Sequence, residues 1–176
     1  MDVQRAEKTL LEEEGKLDEY LREERGVVRL CARSIKEVHR GDLGEALKLA
    51  EEAKGRMDTL PRIEGRGKHV EQEYAEALAL IAVAKGEEIP DYGEMGVSAQ
   101  GYLLGLSDAI GEIKRLVIEE LRKGEKDLAQ GHFARMEEIY AEIGHLHFSS
   151  AALPEFRRKQ DVARMQVEDA RGKLVR

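Results

Sequence analysis

The stretch QEYAEALALIAVA, Gln72–Ala84, places two glutamates, Glu73 and Glu76, on the turn that leads into a run holding only Ala, Leu, Ile and Val. Ala and Leu are strong helix formers, and a helix that is apolar on every side belongs inside a bundle. An ionised carboxylate carried into such surroundings must find a partner or lose its charge. The rest of the chain therefore has to provide both the neighbouring helices and the counter-charges.

His69, Glu73 and Glu76 stand at i, i+4 and i+7, so all three project from one face of this helix. A second acidic pair, Asp108 and Glu112, lies one turn apart in GYLLGLSDAIGEIKR, residues 101–115, again within an apolar run. If the two helices pack side by side, the four carboxylates can share divalent cations that cancel their mutual repulsion. Hard oxygen donors without cysteine favour Mg2+, with Mn2+ as an alternative. Gly101 and Gly105 share a face with Asp108, Glu112 and Arg115, and permit close approach of another backbone or a substrate. That face is expected to be accessible. Each acidic pair taken alone also fits the solvated end of an amphipathic helix.

Helical spacing extends in both directions from this centre. A long first helix is expected from Val3 to His39, stopped by Gly41, and Asp42 with Glu45 makes a capping-box-like start for a second helix to about Leu60. Pro61, Gly65 and Gly67 break the pattern before the helix from His69 to Lys85. The segment GEEIPDYGEMGVS reads as loop. Ser98 caps a helix over Ala99–Arg122, a further helix covers Asp127–His147, and the last runs from Pro154, in its permitted first-turn position, to Leu174. With three prolines, five tyrosines, three phenylalanines and no tryptophan among 176 residues, an all-α chain of six to seven helices in one domain, residues 1–176, is expected.

The single Cys31 cannot make an internal disulfide and lacks zinc-site neighbours, so a buried packing role in a reducing, cytoplasmic setting is expected. The absence of a long apolar run and the charged start MDVQRAEKTL give no sign of a membrane span or signal segment. The formal net charge of −7 means that any nucleic-acid binding needs a local basic face. The first helix offers one: Arg22, Arg25, Arg29, Arg33, Lys36 and Arg40 follow steps of three and four, opposite the apolar Val28, Cys31, Ile35 and Val38. Exposed helix faces usually alternate sign, and this one does not. The last helix adds Arg157, Arg164 and Arg171 at seven-residue intervals, with Arg158 and Lys159 beside the first. Contacts to a phosphate backbone, independent of sequence, follow from such stripes. His145, His147 and Phe148 are read as packing at a helix end, with base stacking as the alternative.

The QEYAEA and GYLLGLSDAIGEIKR motifs, preceded by SIKEVHRGD and followed by FRRKQDVARMQVEDARGKL, resemble the translin and translin-associated factor X family over nearly the whole chain. The chain is similar to the catalytic, factor X-like branch, in a compact form that resembles its prokaryotic, archaeal members. The resemblance implies an all-α bundle of the translin type, assembled as a homo-oligomer into a closed octameric shell that holds RNA. It also implies Mg2+ bound by Glu73, Glu76 and Asp108, which are the catalytic residues, with Glu112 as a fourth metal ligand. The sequence departs from the eukaryotic catalytic branch at Gly101 and in its short loop between the two motifs.

These observations together favour a Mg2+-dependent endoribonuclease cleaving short or single-stranded RNA. Its nucleic-acid contacts are expected at Arg22, Arg25, Arg29, Arg33, Lys36, Arg40, His69, Arg115, Arg157 and Arg158. One alternative is a non-catalytic translin-like module binding RNA or single-stranded DNA. Another is an all-α nucleotide pyrophosphatase, whose acidic pairs also bind Mg2+, although a D-x-x-x-E second pair and a long arginine stripe suit it less.

Overall fold

The computed structural model describes residues 2–175 as an all-helical bundle. Seven helices follow in order: α1 Val3–Arg40, α2 Leu43–Asp58, α3 Lys68–Lys85, α4 Tyr92–Met95, α5 Ala99–Lys123, α6 Lys126–Gly144 and α7 Phe156–Leu174. Local chemistry sets most ends. Gly41 turns left-handed at φ 82° and its N–H closes on α1 carbonyls, while Asp42 Oδ1 accepts the Glu45 N–H at 2.9 Å to start α2. Only that half of the expected capping box forms. Ser98 Oγ accepts the Gly101 N–H at 3.1 Å and begins α5. The Glu71 carboxylate on α3 in turn accepts from the Ser98 N–H and hydroxyl.

Three expected boundaries change, the first being that the helix expected to reach His147 ends at Gly144. The loop before Ser98 contains the one-turn helix α4, made possible by a full capping box between Asp91 and Glu94. Pro154 does not enter α7: Glu155, left-handed at φ 64°, is the cap, and the proline precedes it.

The central helix α5 packs against α3, α6 and α7, while α1 packs on α2 and α3. Ile110, Ile113 and Val117 of α5 meet Leu80 and Val83 of α3, Met136 and Ile143 of α6 and Val167 of α7 in one continuous core. Gly101 and Gly105 lie buried at the α3–α5 contact. A Cβ on Gly105 would sit 2.6 Å from the Gln72 carbonyl oxygen and 2.7 Å from Ala75 Cβ. These glycines therefore serve close approach of another backbone, and the accessible face expected of them is closed by α3. Cys31 is fully buried, and burial followed by the nearby charges of Glu73 and Glu76 pushes its thiol up to about 12. Among the described residues no helix is long and apolar enough to cross a membrane.

Candidate active site

The close α3–α5 approach brings Glu73, Glu76 and Asp108 together, with Glu112 one turn beyond. Glu76 is the most perturbed carboxyl of the four: burial first, then the charges of Asp108, Glu73 and Glu112, push it up to about 8. Glu73 is raised too, chiefly by burial and by Asp108, with His69 and Lys159 acting in the opposite sense. A cleft of about 410 Å³ opens here, lined by Glu76, Ser107, Asp108, Gly111 and Glu112 from one side and by Arg158, Lys159, Val162 and Gln166 of α7 from the other.

Asp108 and Glu112 have dedicated partners. Lys159 Nζ donates to both Asp108 oxygens at 2.5 and 2.7 Å, and Gln72 Nε2 donates to Oδ2 at 2.6 Å. Glu112 lies 2.6 Å from His39 Nε2, and the other ring nitrogen lies 3.1 Å from Glu119. A ring donating from both nitrogens satisfies both carboxylates. The hydrogen bond from His39 is the main reason that Glu112 is lowered, ahead of the charges of His39 and Arg115; burial works against it.

The four carboxylates are consequently not gathered around one point as the sequence suggested. Among the described residues no group of three or more His, Cys, Asp or Glu side chains is arranged to hold a metal ion. The reason is electrostatic: Asp108 turns to the Lys159 ammonium and Glu112 to His39. The donor set nonetheless suits a hard divalent cation. It consists of carboxylate oxygens, and Glu76 faces like-charged neighbours whose repulsion such an ion would relieve.

The α1 stripe is exposed along its whole length. Arg22 pairs with its neighbour Glu23 at 3.3 Å and Arg40 with Glu37 at 2.9 Å. Among the described residues, no carboxylate lies within ion-pairing distance of Arg25, Arg29, Arg33 or Lys36. Arg157 is exposed and Arg158 sits at the cleft, 3.4 Å from Glu155. His69 is exposed, 3.9 Å from Glu73. Arg115 is instead drawn to Glu119 at 3.0 Å and Glu112 at 3.8 Å, so it braces the His39 network. The α7 series does not form a free stripe, because Arg171 pairs with Glu137 at 2.6 Å and lies over the Phe133 ring. His145, His147 and Phe148 are exposed, contrary to the packing role expected of them; Phe148 meets Phe156 ring to ring at 5.7 Å.

Sequence reasoning did not single out Lys159, Gln72, His39 or Glu119 for the site. Lys159 carried a usable signal: it keeps helical phase with the buried Phe156, Ala163 and Ala170, an unusual place for a lysine without a partner. His39 likewise follows Cys31 and Ile35 at four-residue steps.

An acidic cleft between α3, α5 and α7 of a helical bundle, with a cationic helix face outside it, defines the class of helical proteins whose sites are built from carboxylates on facing helices. Within that class the chain belongs to the Translin family, whose model matches residues 37–170. It is similar to Uncharacterized protein MJ0175 of Methanocaldococcus jannaschii, with 29% identity over 166 residues, 90% of this chain and 74% of that protein. Among solved structures it resembles AfC3PO in a duplex RNA complex, with a TM-score of 0.88 and 26% identity over 99% of this chain and 95% of that one. It also resembles apo-NeC3PO, with a TM-score of 0.87 and 26% identity over 99% of this chain and 96% of that one.

Proposed function

We propose that the chain is a Mg2+-dependent endoribonuclease acting on short or single-stranded RNA, with copies of the chain assembled around the substrate. The observation that carries this reading is that Glu76 and Asp108 line one cleft, where burial and the charges of Asp108, Glu73 and Glu112 push Glu76 up to about 8. Family membership and the duplex RNA complex of AfC3PO support RNA as the bound ligand. Glu73, Glu76 and Asp108 would hold the cation, with Glu112 beside them. Bound there, Mg2+ supplies Lewis acidity toward a phosphate oxygen and lowers the pKa of water. Arg158 and Lys159 place positive charge on the opposite wall, suited to orienting a phosphodiester. The α1 stripe holds backbone phosphates without regard to sequence.

A non-catalytic RNA-binding module is the second reading, favoured by the fact that Lys159 and His39 already occupy Asp108 and Glu112. The test is to incubate the protein with labelled single-stranded RNA, duplex RNA and nucleoside triphosphates, in Mg2+ and in chelator. Shortened RNA in Mg2+ alone is expected. Bound but intact RNA would favour the second reading, and triphosphate hydrolysis would make the chain a nucleotide pyrophosphatase.

The stripe has its own expected result. Changing Arg25, Arg29 and Arg33 together to Gln should weaken RNA binding and reduce the slope of log affinity against log salt by about 2 for single strands, since three fewer counterions are released. An unchanged slope in filter-binding or anisotropy titrations would show that these side chains are merely solvated.

A further inference from the structure

We propose that Lys159 is a tethered counter-ion that competes with the divalent cation for Asp108, so that loading the cleft requires the lysine to be released; this rests on the metal-site reading above. A lysine serving only as a surface ion pair would be free to trade partners with water. Lys159 is held differently. Its side chain is only 16% exposed, and its ammonium contacts both oxygens of one carboxylate. It stands across the cleft from Glu76, and its charge favours the ionised form of both Glu73 and Glu76. Gln72 fixes the same carboxylate from α3, so Asp108 is presented to the ammonium in one orientation.

Two consequences follow from charge alone. With the cleft empty, Lys159 ties α7 to α5 and offsets part of the carboxylate repulsion. With a cation bound by Asp108, the ammonium and the ion repel each other across a half-buried space, and the flexible lysine stem is the part that can move. The released ammonium stays on the wall shared with Arg158, where a phosphate of the substrate can take the place of Asp108 as its partner. The lysine would then report on the state of the cleft, bound to protein when it is empty and to substrate when it is loaded.

Mn2+ binding, followed by calorimetry and by the electron paramagnetic resonance of free Mn2+, tests this without any cleavage readout. Three variants are compared with the parent: Lys159→Gln, Lys159→Arg and Arg158→Gln. Lys159→Gln should bind Mn2+ about ten-fold more tightly, because no internal ion pair has to be broken first. Lys159→Arg, which keeps the competing charge, should remain near the parent. Arg158→Gln should gain less than about three-fold, because this residue lines the cleft without contacting Asp108. In the absence of metal, melting of Lys159→Gln below the parent supports the α5–α7 tie, whereas an unchanged or higher melting temperature counts against it. Equal or weaker Mn2+ binding by Lys159→Gln, or an equal gain in Arg158→Gln, would overturn the competition while leaving the metal site standing. If Lys159→Gln does not fold, Mn2+ affinity in Lys159→Arg several-fold above the parent would overturn it equally well. No Mn2+ binding by the parent or any variant would overturn the metal-site reading and this inference with it.

Discussion

Glu76→Ala should reduce RNA cleavage by about a thousand-fold or more, a loss of roughly 4 kcal/mol in transition-state stabilisation, while the exposed stripe on α1 keeps most of the RNA affinity. The fold should survive. Glu76 makes no hydrogen bond or ion pair among the described residues that its removal would orphan, and its ionised form is opposed by the charges of Asp108, Glu73 and Glu112. Metal-free melting of the variant should therefore hold or rise, and added Mg2+ should stabilise it less than it stabilises the parent.

The same carboxyl predicts a pH dependence whose sign is fixed by linkage. Its folded pKa, about 8, lies above the ordinary carboxylate range, so across that interval the native chain keeps a proton that the unfolded chain has lost. Stability of the metal-free protein should fall as pH rises from the ordinary carboxylate range toward 8, and the contribution of this group should level off above it. Glu76→Gln should remove most of that slope, and Glu73, raised in the same direction, should leave a smaller one. Thermal melts at a series of pH values with chelator present measure both. Parental cleavage by Glu76→Ala would sink the metal-site reading, and an unchanged pH slope in Glu76→Gln would show that the carboxyl is solvated.

Gly105→Ala should be the most damaging small substitution in the bundle. The added methyl would meet the Gln72 carbonyl oxygen at 2.6 Å, Ala75 Cβ at 2.7 Å and the Glu76 nitrogen at 3.0 Å. Two of these three are backbone atoms, which cannot rotate away, so α3 and α5 must separate. Overpacking of this kind costs about 1–3 kcal/mol, or a melting temperature lower by roughly 3–10 °C for a chain of this size. Because Glu73 and Glu76 ride on one helix and Asp108 on the other, cleavage should fall further than the loss of folded protein explains. Gly131→Ala on α6 is the control. A Cβ there meets nothing within 4 Å, and alanine should raise stability by up to about 1 kcal/mol through helix propensity. If both substitutions behave alike in circular-dichroism melts, the close approach of α3 and α5 does not matter for stability.

Most of the helices were legible because their causes are local. Gly41, Asp42 and Ser98 act on backbone groups within five residues, α3 is marked by its nearly unbroken apolar run, and the apolar phase of α5 is written in steps of three and four. The same periodicity identified the acidic pairs and the basic stripe, since a helix determines which of its own side chains share a face. Pro154 shows where local rules end. A proline can open a helix, but here the left-handed Glu155 intervenes between it and α7.

Partners across grooves obey different physics. Which side chain meets Asp108 or Glu112 depends on the rotation and axial shift of one helix against another, and no pattern within a helix encodes either. Lys159 reaches Asp108 across 51 residues of chain and His39 reaches Glu112 across 73. The two glycines illustrate the same division. Their shared face is plain from GYLLGLSDAIGEIKR, yet its burial against Gln72 and Ala75 came from the register of α3 on α5. Composition and periodicity thus determined an all-α chain with paired carboxylates and one unbalanced cationic face. Tertiary packing decided that Lys159 and His39 engage two of those carboxylates and that Glu76 is left half-buried among like charges, because desolvation and Coulomb energy depend on distances that exist only once the helices have docked.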